Sequence, residues 1–149
     1  MKLENRIQLD LLREQCQEKR NKEVCKILVC GGTGCLAGGS DKIFDKLCEL
    51  TADMDHGEVK FGAESAHGNR VGVKKSGCHG FCEMGPLVRI EPYNYIYIKV
   101  KEEDCEEIFN ETILHGRPVE RLMYHKDGVV YRQQEEITFY KKQTRLVLK

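Results

Sequence analysis

Leu3, Ile7 and Leu11 recur at four-residue spacing near the start of the chain, with Leu12 and Cys16 beside them and charges elsewhere. That pattern gives a helix over residues 3–20 one apolar face, to lie on a domain surface or on a partner. Ile27-Leu28-Val29 is instead an unbroken apolar run ending at Cys30, as expected of a strand buried on both faces. After Cys35, the glycine-rich stretch Leu36-Ala37-Gly38-Gly39-Ser40-Asp41 leads to Ile43, Phe44, Leu47 and Cys48 at helical spacing, which predicts a capped helix. Residues 52–70 offer only Val59 and Phe61 as apolar anchors and read as loop, before Val71-Gly72-Val73 restores a strand that runs into Gly77-Cys78. Both strands can then end side by side, where sites in open α/β sheets are found.

Leu87-Val88-Arg89-Ile90 and Tyr95-Ile96-Tyr97-Ile98 flank Glu91-Pro92-Tyr93-Asn94, the mark of a hairpin with a proline-asparagine turn. Over 102–114, Cys105, Ile108, Phe109 and Ile113 share one side of a helix that Gly116 would end. The fold class predicted is therefore α/β, a mixed sheet of about four strands in the order β-α-β-β-β-α with flanking helices and an extra N-terminal helix. From His125 the pattern weakens through Asp127-Gly128 and Gln133-Gln134-Glu135-Glu136, and Arg145-Leu146-Val147-Leu148-Lys149 closes no element. Residues 1–22 thus read as the helix, 23–124 as the domain, and 125–149 as a linker cut from something longer.

The 149 residues suffice for a core without cross-links, and Lys plus Arg and Asp plus Glu number 24 each, so no global field would draw the chain to nucleic acid or an anionic membrane. The N-terminus is charged and no stretch has the length of a membrane span, which leads us to expect a cytoplasmic protein without membrane insertion. With eight cysteines and no signal peptide, reduced thiols around a metal fit better than a disulfide framework.

Two brackets carry the chemistry: Cys30-Gly31-Gly32-Thr33-Gly34-Cys35 and Cys78-His79-Gly80-Phe81-Cys82. No hydrophobic periodicity explains these four thiols, whereas Cys48 and Cys105 fall on apolar helix faces and Cys16 is read the same way, as core filling. Cys25 mimics the spacing, but in an extended strand it stands about 16 Å from Cys30, too far for one small cluster. Neither bracket is the tight C-x2-C knuckle common in zinc sites, although zinc remains the runner-up, and no C-x-x-C dithiol occurs. A 2Fe-2S cluster takes four thiolates, two per iron, which two brackets can supply. His79 inside the second bracket suits a hydrogen-bonding role better than ligation, since histidines in Rieske centres replace cysteines rather than add to them. His56, His67, His115 and His125 read as solvated surface residues. Lys74, Lys75 and Arg70 either raise the local potential or guard a strand edge. Backbone N–H groups of Gly31, Gly32, Gly34, Gly77 and Gly80 are better placed to donate to sulfur.

Val29-Cys30-Gly31-Gly32-Thr33-Gly34-Cys35 and Ser76-Gly77-Cys78-His79-Gly80-Phe81-Cys82-Glu83-Met84-Gly85-Pro86 resemble the thioredoxin-like 2Fe-2S ferredoxin family, which includes the small iron–sulfur subunit of respiratory complex I. A nearer resemblance is to the N-terminal domain of the NADH-binding flavoprotein subunit in NAD(P)-linked, often electron-bifurcating, iron-only hydrogenases and related formate dehydrogenases. It spans most of residues 23–124, with Val119-Glu120-Arg121-Leu122-Met123-Tyr124 closing the domain and Phe139-Tyr140-Lys141-Lys142-Gln143 similar to the lead into a flavin domain. The resemblance implies a thioredoxin-like fold without thioredoxin chemistry, and one 2Fe-2S cluster on Cys30, Cys35, Cys78 and Cys82. The stretch 52–70 looks longer than the family's usual connection. FMN and NAD(P) would belong only to the remainder of a longer protein.

The resulting expectation is one-electron transfer within an NAD(P)H-linked redox complex, with other iron–sulfur or flavin subunits as partners, a homo-oligomer allowed, and no catalytic site in these residues. The alternative is a zinc-stabilised protein-interaction module. A thiol enzyme ranks third, because no histidine and carboxylate are placed to activate a cysteine.

Overall fold

The strand that ends on the first cysteine bracket lies inside the sheet, between a parallel and an antiparallel neighbour. A computed structural model describes residues 5–21, 23–52 and 70–144. In it, β1 (Glu23–Cys30) pairs parallel with β2 (Arg70–Ser76) and antiparallel with β3 (Val88–Glu91), which pairs antiparallel with β4 (Tyr95–Tyr97). The sheet order is β2-β1-β3-β4. In the β1/β2 register Cys30 stands opposite Ser76, so both strands deliver their brackets to one end of the sheet, as the sequence pattern anticipated.

Side chains alternate along β1. Cys25, Ile27 and Val29 are buried while Val24, Lys26 and Leu28 are half-buried, so the apolar run is not buried equally on both faces as expected. The outer face carries the Lys26–Glu91 ion pair at 3.9 Å. The inner face packs against Ile43 and Leu47 of α3 (Ser40–Thr51) and Cys105, Ile108 and Ile113 of the helical segment 102–114. A short helix, α2 (Thr33–Ala37), separates β1 from α3. No side chain caps α3: Gly39, at φ +88°, precedes it and Ser40 is buried within its first turn. Here the expected cap is replaced by a left-handed turn, which glycine adopts without strain.

Segment 102–114 is helical as predicted but does not wind evenly. It opens as a 3-10 turn (Glu102–Asp104), passes through α4 (Cys105–Glu107) and closes as a π-helix (Ile108–Leu114). The wider winding brings residues five apart onto one side, and Ile108 and Ile113 are accordingly both fully buried beside Thr112, whose hydroxyl lies 2.6 Å from that of Tyr97. Gly116 follows at φ +69°, where a Cβ would stand 2.7 Å from the Tyr93 hydroxyl.

Helix α1 (Arg6–Asn21) forms where the spacing predicted, with Gln8 N–H donating to Asn5 Oδ1 at 3.0 Å. Cys16, expected to fill a core, is exposed instead, as are Ile7, Leu9 and Leu11. An apolar stripe gives a helix a face without supplying the surface to cover it.

The larger departure is at the C-terminal end. Within the stretch read as a linker, which showed no element in its pattern, β5 (Tyr124–Lys126) and β6 (Val129–Tyr131) form a hairpin, and α5 (Thr138–Lys141) follows. Asp127 at φ +52° and Gly128 at φ +78° make its two-residue turn, so the dipeptide that seemed to break the pattern is itself the hairpin signal. Arg132 accepts from Ile96 N–H at 3.0 Å and Gln133 bridges to Tyr95, fastening this segment to β4. Its Ile137 and Tyr140 are buried with Ile96 against Phe81, Tyr124 and Tyr131. Most of the expected 52–70 loop, with His56, Val59, Phe61 and His67, lies outside the described residues, as do residues 145–149.

Candidate functional site

The two brackets meet where β1 and β2 end. Cys30 N–H donates to Leu87 O and Gly31 N–H to Ser76 O, each at 3.0 Å, which ties the first bracket both to the residue that precedes β3 and to the strand end leading into the second bracket. Cys35 sits on α2 and is buried with Cys30 and Leu87. Cys78 and Cys82 are exposed, the latter opening a single 3-10 turn, Cys82–Met84. Close approach explains two of the glycines. A Cβ on Gly32 would lie 3.0 Å from Cys78 Sγ, and one on Gly85 would lie 2.8 Å from Cys35 Sγ, so any larger residue at either position would intrude on the sulfurs.

The thiols meet in pairs. Cys78 Sγ and Cys82 Sγ are 3.8 Å apart, Cys30 hydrogen-bonds with Cys35, and Cys30 also reaches Cys78. Among the described residues no three histidine, cysteine or carboxylate side chains gather around a single ion position. Burial, and then the bond to Cys30, pushes the Cys35 thiol up to about 11, while a backbone hydrogen bond from Leu87 acts the other way. The Gly80 N–H, donating to Cys78 Sγ at 3.3 Å, holds that thiol below its ordinary value, and the contact with Cys82 adds to this. Cys82 is raised in turn by its hydrogen bond with Cys78 and their mutual repulsion. N–H donors at sulfur favour thiolates, and two pairs of thiols, one buried and one exposed, suit a group that takes four sulfur ligands two at a time.

The remaining cysteines stay apart from this centre. Cys25 lies buried at the far end of β1, its thiol pushed up to about 12 by burial and then by Glu91. Cys105 is buried and Cys48 half-buried on their helices, in keeping with core filling. His79 Nε2 lies 2.9 Å from Ser76 Oγ, so its ring is tied to the strand end, the hydrogen-bonding role expected of it. His115 and His125 are exposed, and each has a ring nitrogen near a backbone carbonyl, of Asn110 and Met123 respectively. Lys75 Nζ sits 4.8 Å over the Phe44 ring of α3, an edge-guarding placement. Of the glycine N–H donors anticipated, Gly80 reaches a sulfur, whereas that of Gly31 goes to Ser76 O.

Three contributors escaped the sequence pattern. Leu87 supplies a backbone donor to Cys35, Gly85 makes room for its sulfur, and Tyr140 donates its hydroxyl to His79 O at 2.9 Å. Gly85-Pro86 beside the second bracket was a visible signal for one of these. Nothing local marks Tyr140.

The family model of the thioredoxin-like [2Fe-2S] ferredoxin matches residues 15–112. The chain belongs to that family. Its relatives include the 2Fe-2S ferredoxin of Aquifex aeolicus, 41% identical over 54 residues, covering 36% of this chain and 49% of that protein. The 2Fe-2S ferredoxin of Clostridium pasteurianum is 39% identical over 54 residues, covering 36% and 53% respectively. The matched stretch therefore spans about half the length of these curated relatives. A solved structure of the Aquifex aeolicus thioredoxin-like [2Fe-2S] ferredoxin aligns over 67% of this chain and 89% of that one, with 28% identity and a TM-score of 0.53. The mixed sheet with flanking helices is thus thioredoxin-like, and a 2Fe-2S cluster is the cofactor this membership supports. No described helix is long and apolar enough to cross a membrane.

Proposed function

We propose that Cys30, Cys35, Cys78 and Cys82 hold a single 2Fe-2S cluster and that the chain carries electrons one at a time between redox partners. The observation that carries this reading is the meeting of two thiol pairs at the shared end of β1 and β2, with N–H donors from Gly80 and Leu87 directed at their sulfurs. When bound, such a cluster supplies a one-electron couple. The chain's own residues ligate it, orient its two halves through the Gly31–Ser76 link, shield one half from water through Leu87 and Ile98, and stabilise added negative charge through N–H groups.

The fuller setting we infer is a ferredoxin domain over 23–124 of a longer NAD(P)H-linked flavin and iron–sulfur oxidoreductase, such as a hydrogenase. Cytoplasmic iron–sulfur or flavin subunits would be its partners, and FMN and NAD(P) would bind in the remainder. This rests on the similarity of 119–124 to the segment that closes such ferredoxin domains and of 139–143 to the lead into their flavin domain.

An absorption spectrum of anaerobically purified protein, followed by electron paramagnetic resonance after dithionite reduction, tests the reading. A brown protein with charge-transfer bands and a rhombic signal on one-electron reduction is expected. A colourless protein carrying one zinc per chain would sink it.

A further inference from the structure

The C-terminal segment, outside the family match, lies against the exposed half of the cysteine site. The Phe81 ring, between Cys78 and Cys82 in sequence, is enclosed by three aromatic neighbours. Phe139 stacks on it at 5.3 Å between centroids and 13° between planes, and Tyr124 and Tyr140 meet it edge-on at 5.4 and 5.8 Å. The segment is anchored to β4 through Arg132 and Gln133, and Ile137 is buried. From that anchored position the Tyr140 hydroxyl donates to His79 O at 2.9 Å.

His79 O and Gly80 N–H are the two ends of one peptide group. One end accepts from Tyr140, and the other donates to Cys78 Sγ at 3.3 Å. Gly80 has φ +78°, in the left-handed region that glycine enters without strain. A peptide plane is rigid, so fixing its carbonyl fixes the direction of its N–H, and a hydrogen bond at the oxygen also strengthens the donor at the nitrogen.

We propose that residues 129–143 form a clasp on the Cys78–Cys82 loop and that Tyr140 is a positioning residue, which holds the 79–80 peptide so that Gly80 N–H points at Cys78 sulfur. This rests on the ligand assignment proposed above. N–H donors at sulfur stabilise the more negative, reduced state, so loosening the peptide lowers the reduction potential.

The test compares Tyr140→Phe with Tyr97→Phe in the full chain. Tyr97 is a buried tyrosine whose hydroxyl pairs with Thr112 and accepts from Val119 N–H, so its loss perturbs the fold away from the cysteines. Y140F is expected to keep its iron content, shift its potential downward, and exchange the Gly80 amide hydrogen about three- to tenfold faster, as loss of one hydrogen bond would allow. Y97F is expected to melt at a lower temperature with wild-type potential and wild-type exchange at Gly80. An unchanged potential in Y140F, or an equal shift in Y97F, overturns the clasp. If the wild-type chain shows no reducible cluster, the ligand assignment falls separately. Gly80 exchange in the free-thiol protein then decides alone: faster exchange in Y140F upholds the clasp, and unchanged exchange overturns it.

Discussion

The two halves of the cysteine site are built on different physical principles. Cys30 and Cys35 are buried, one at a strand end and one on a short helix, and both pack with Leu87. Cys78 and Cys82 are exposed on a glycine-containing loop, held by hydrogen bonds and by aromatic contacts from a distant part of the chain. The first half is held by close apolar packing, so its geometry is fixed by its buried neighbours. The second is held by a few hydrogen bonds and by the aromatic contacts of Phe81, and its two sulfurs stay exposed.

The strongest way to break this distinction is to remove one sulfur from each half. Cys35→Ser and Cys82→Ser should both abolish iron–sulfur absorbance. In the metal-free protein, however, Cys35→Ser should cost about 1–3 kcal/mol, because a hydroxyl is costlier than a thiol to take out of water where Cys35 packs with Leu87. Cys82→Ser at the surface should change stability by about 0.5 kcal/mol or less. Denaturant midpoints measure the difference, and equal costs would remove the contrast.

A subtler test crowds each half in turn. Gly85→Ala would place a Cβ 2.8 Å from Cys35 Sγ, and Gly32→Ala one 3.0 Å from Cys78 Sγ. Iron per chain should fall in both, and further in Gly85→Ala, because Cys35 is fixed in the core whereas the exposed Cys78 loop can yield. Greater loss from Gly32→Ala would contradict the assignment of rigidity.

The smallest expected effect on the site itself comes from isolating burial, using a thiol away from it. Cys25 is pushed from 9.0 to about 12 in the folded state, by burial and then by Glu91. Because the folded chain holds this proton more tightly than the unfolded one, the contribution is fully present below pH 9 and is lost as pH rises from there toward 12. Metal-free protein should therefore lose stability across that range, and Cys25→Ala should flatten the loss. Thermal melts at stepped pH would show it, and an unaltered slope in Cys25→Ala would count against burial as the cause.

Much of this arrangement was legible before the structure. The run Ile27-Leu28-Val29 located β1, Val71-Gly72-Val73 located β2, and the two proline-flanking runs located the β3/β4 hairpin, because burial on one side of a sheet leaves a local record. Cys25 was separable from the brackets because an extended strand has a fixed rise. Other features left no such record. Cys16 occupied a plausible apolar face that the fold does not cover. The π-winding of 108–114 coincides with the buried Thr112 and Tyr97 contact, between residues 15 apart in sequence. Asp127-Gly128 carried a hairpin signal, but its flanking residues are largely exposed and so lack the alternation that marks a strand.

The sequence by itself determined which thiols belong together and at which end of the sheet, since strand periodicity and bracket spacing are local properties of the chain. Only the tertiary structure decided that one pair would be buried and the other exposed, and that Tyr140 would reach the peptide beside Cys78. Those outcomes depend on contacts between residues far apart in sequence, and no local pattern has to encode a contact whose two sides each satisfy their own neighbourhood.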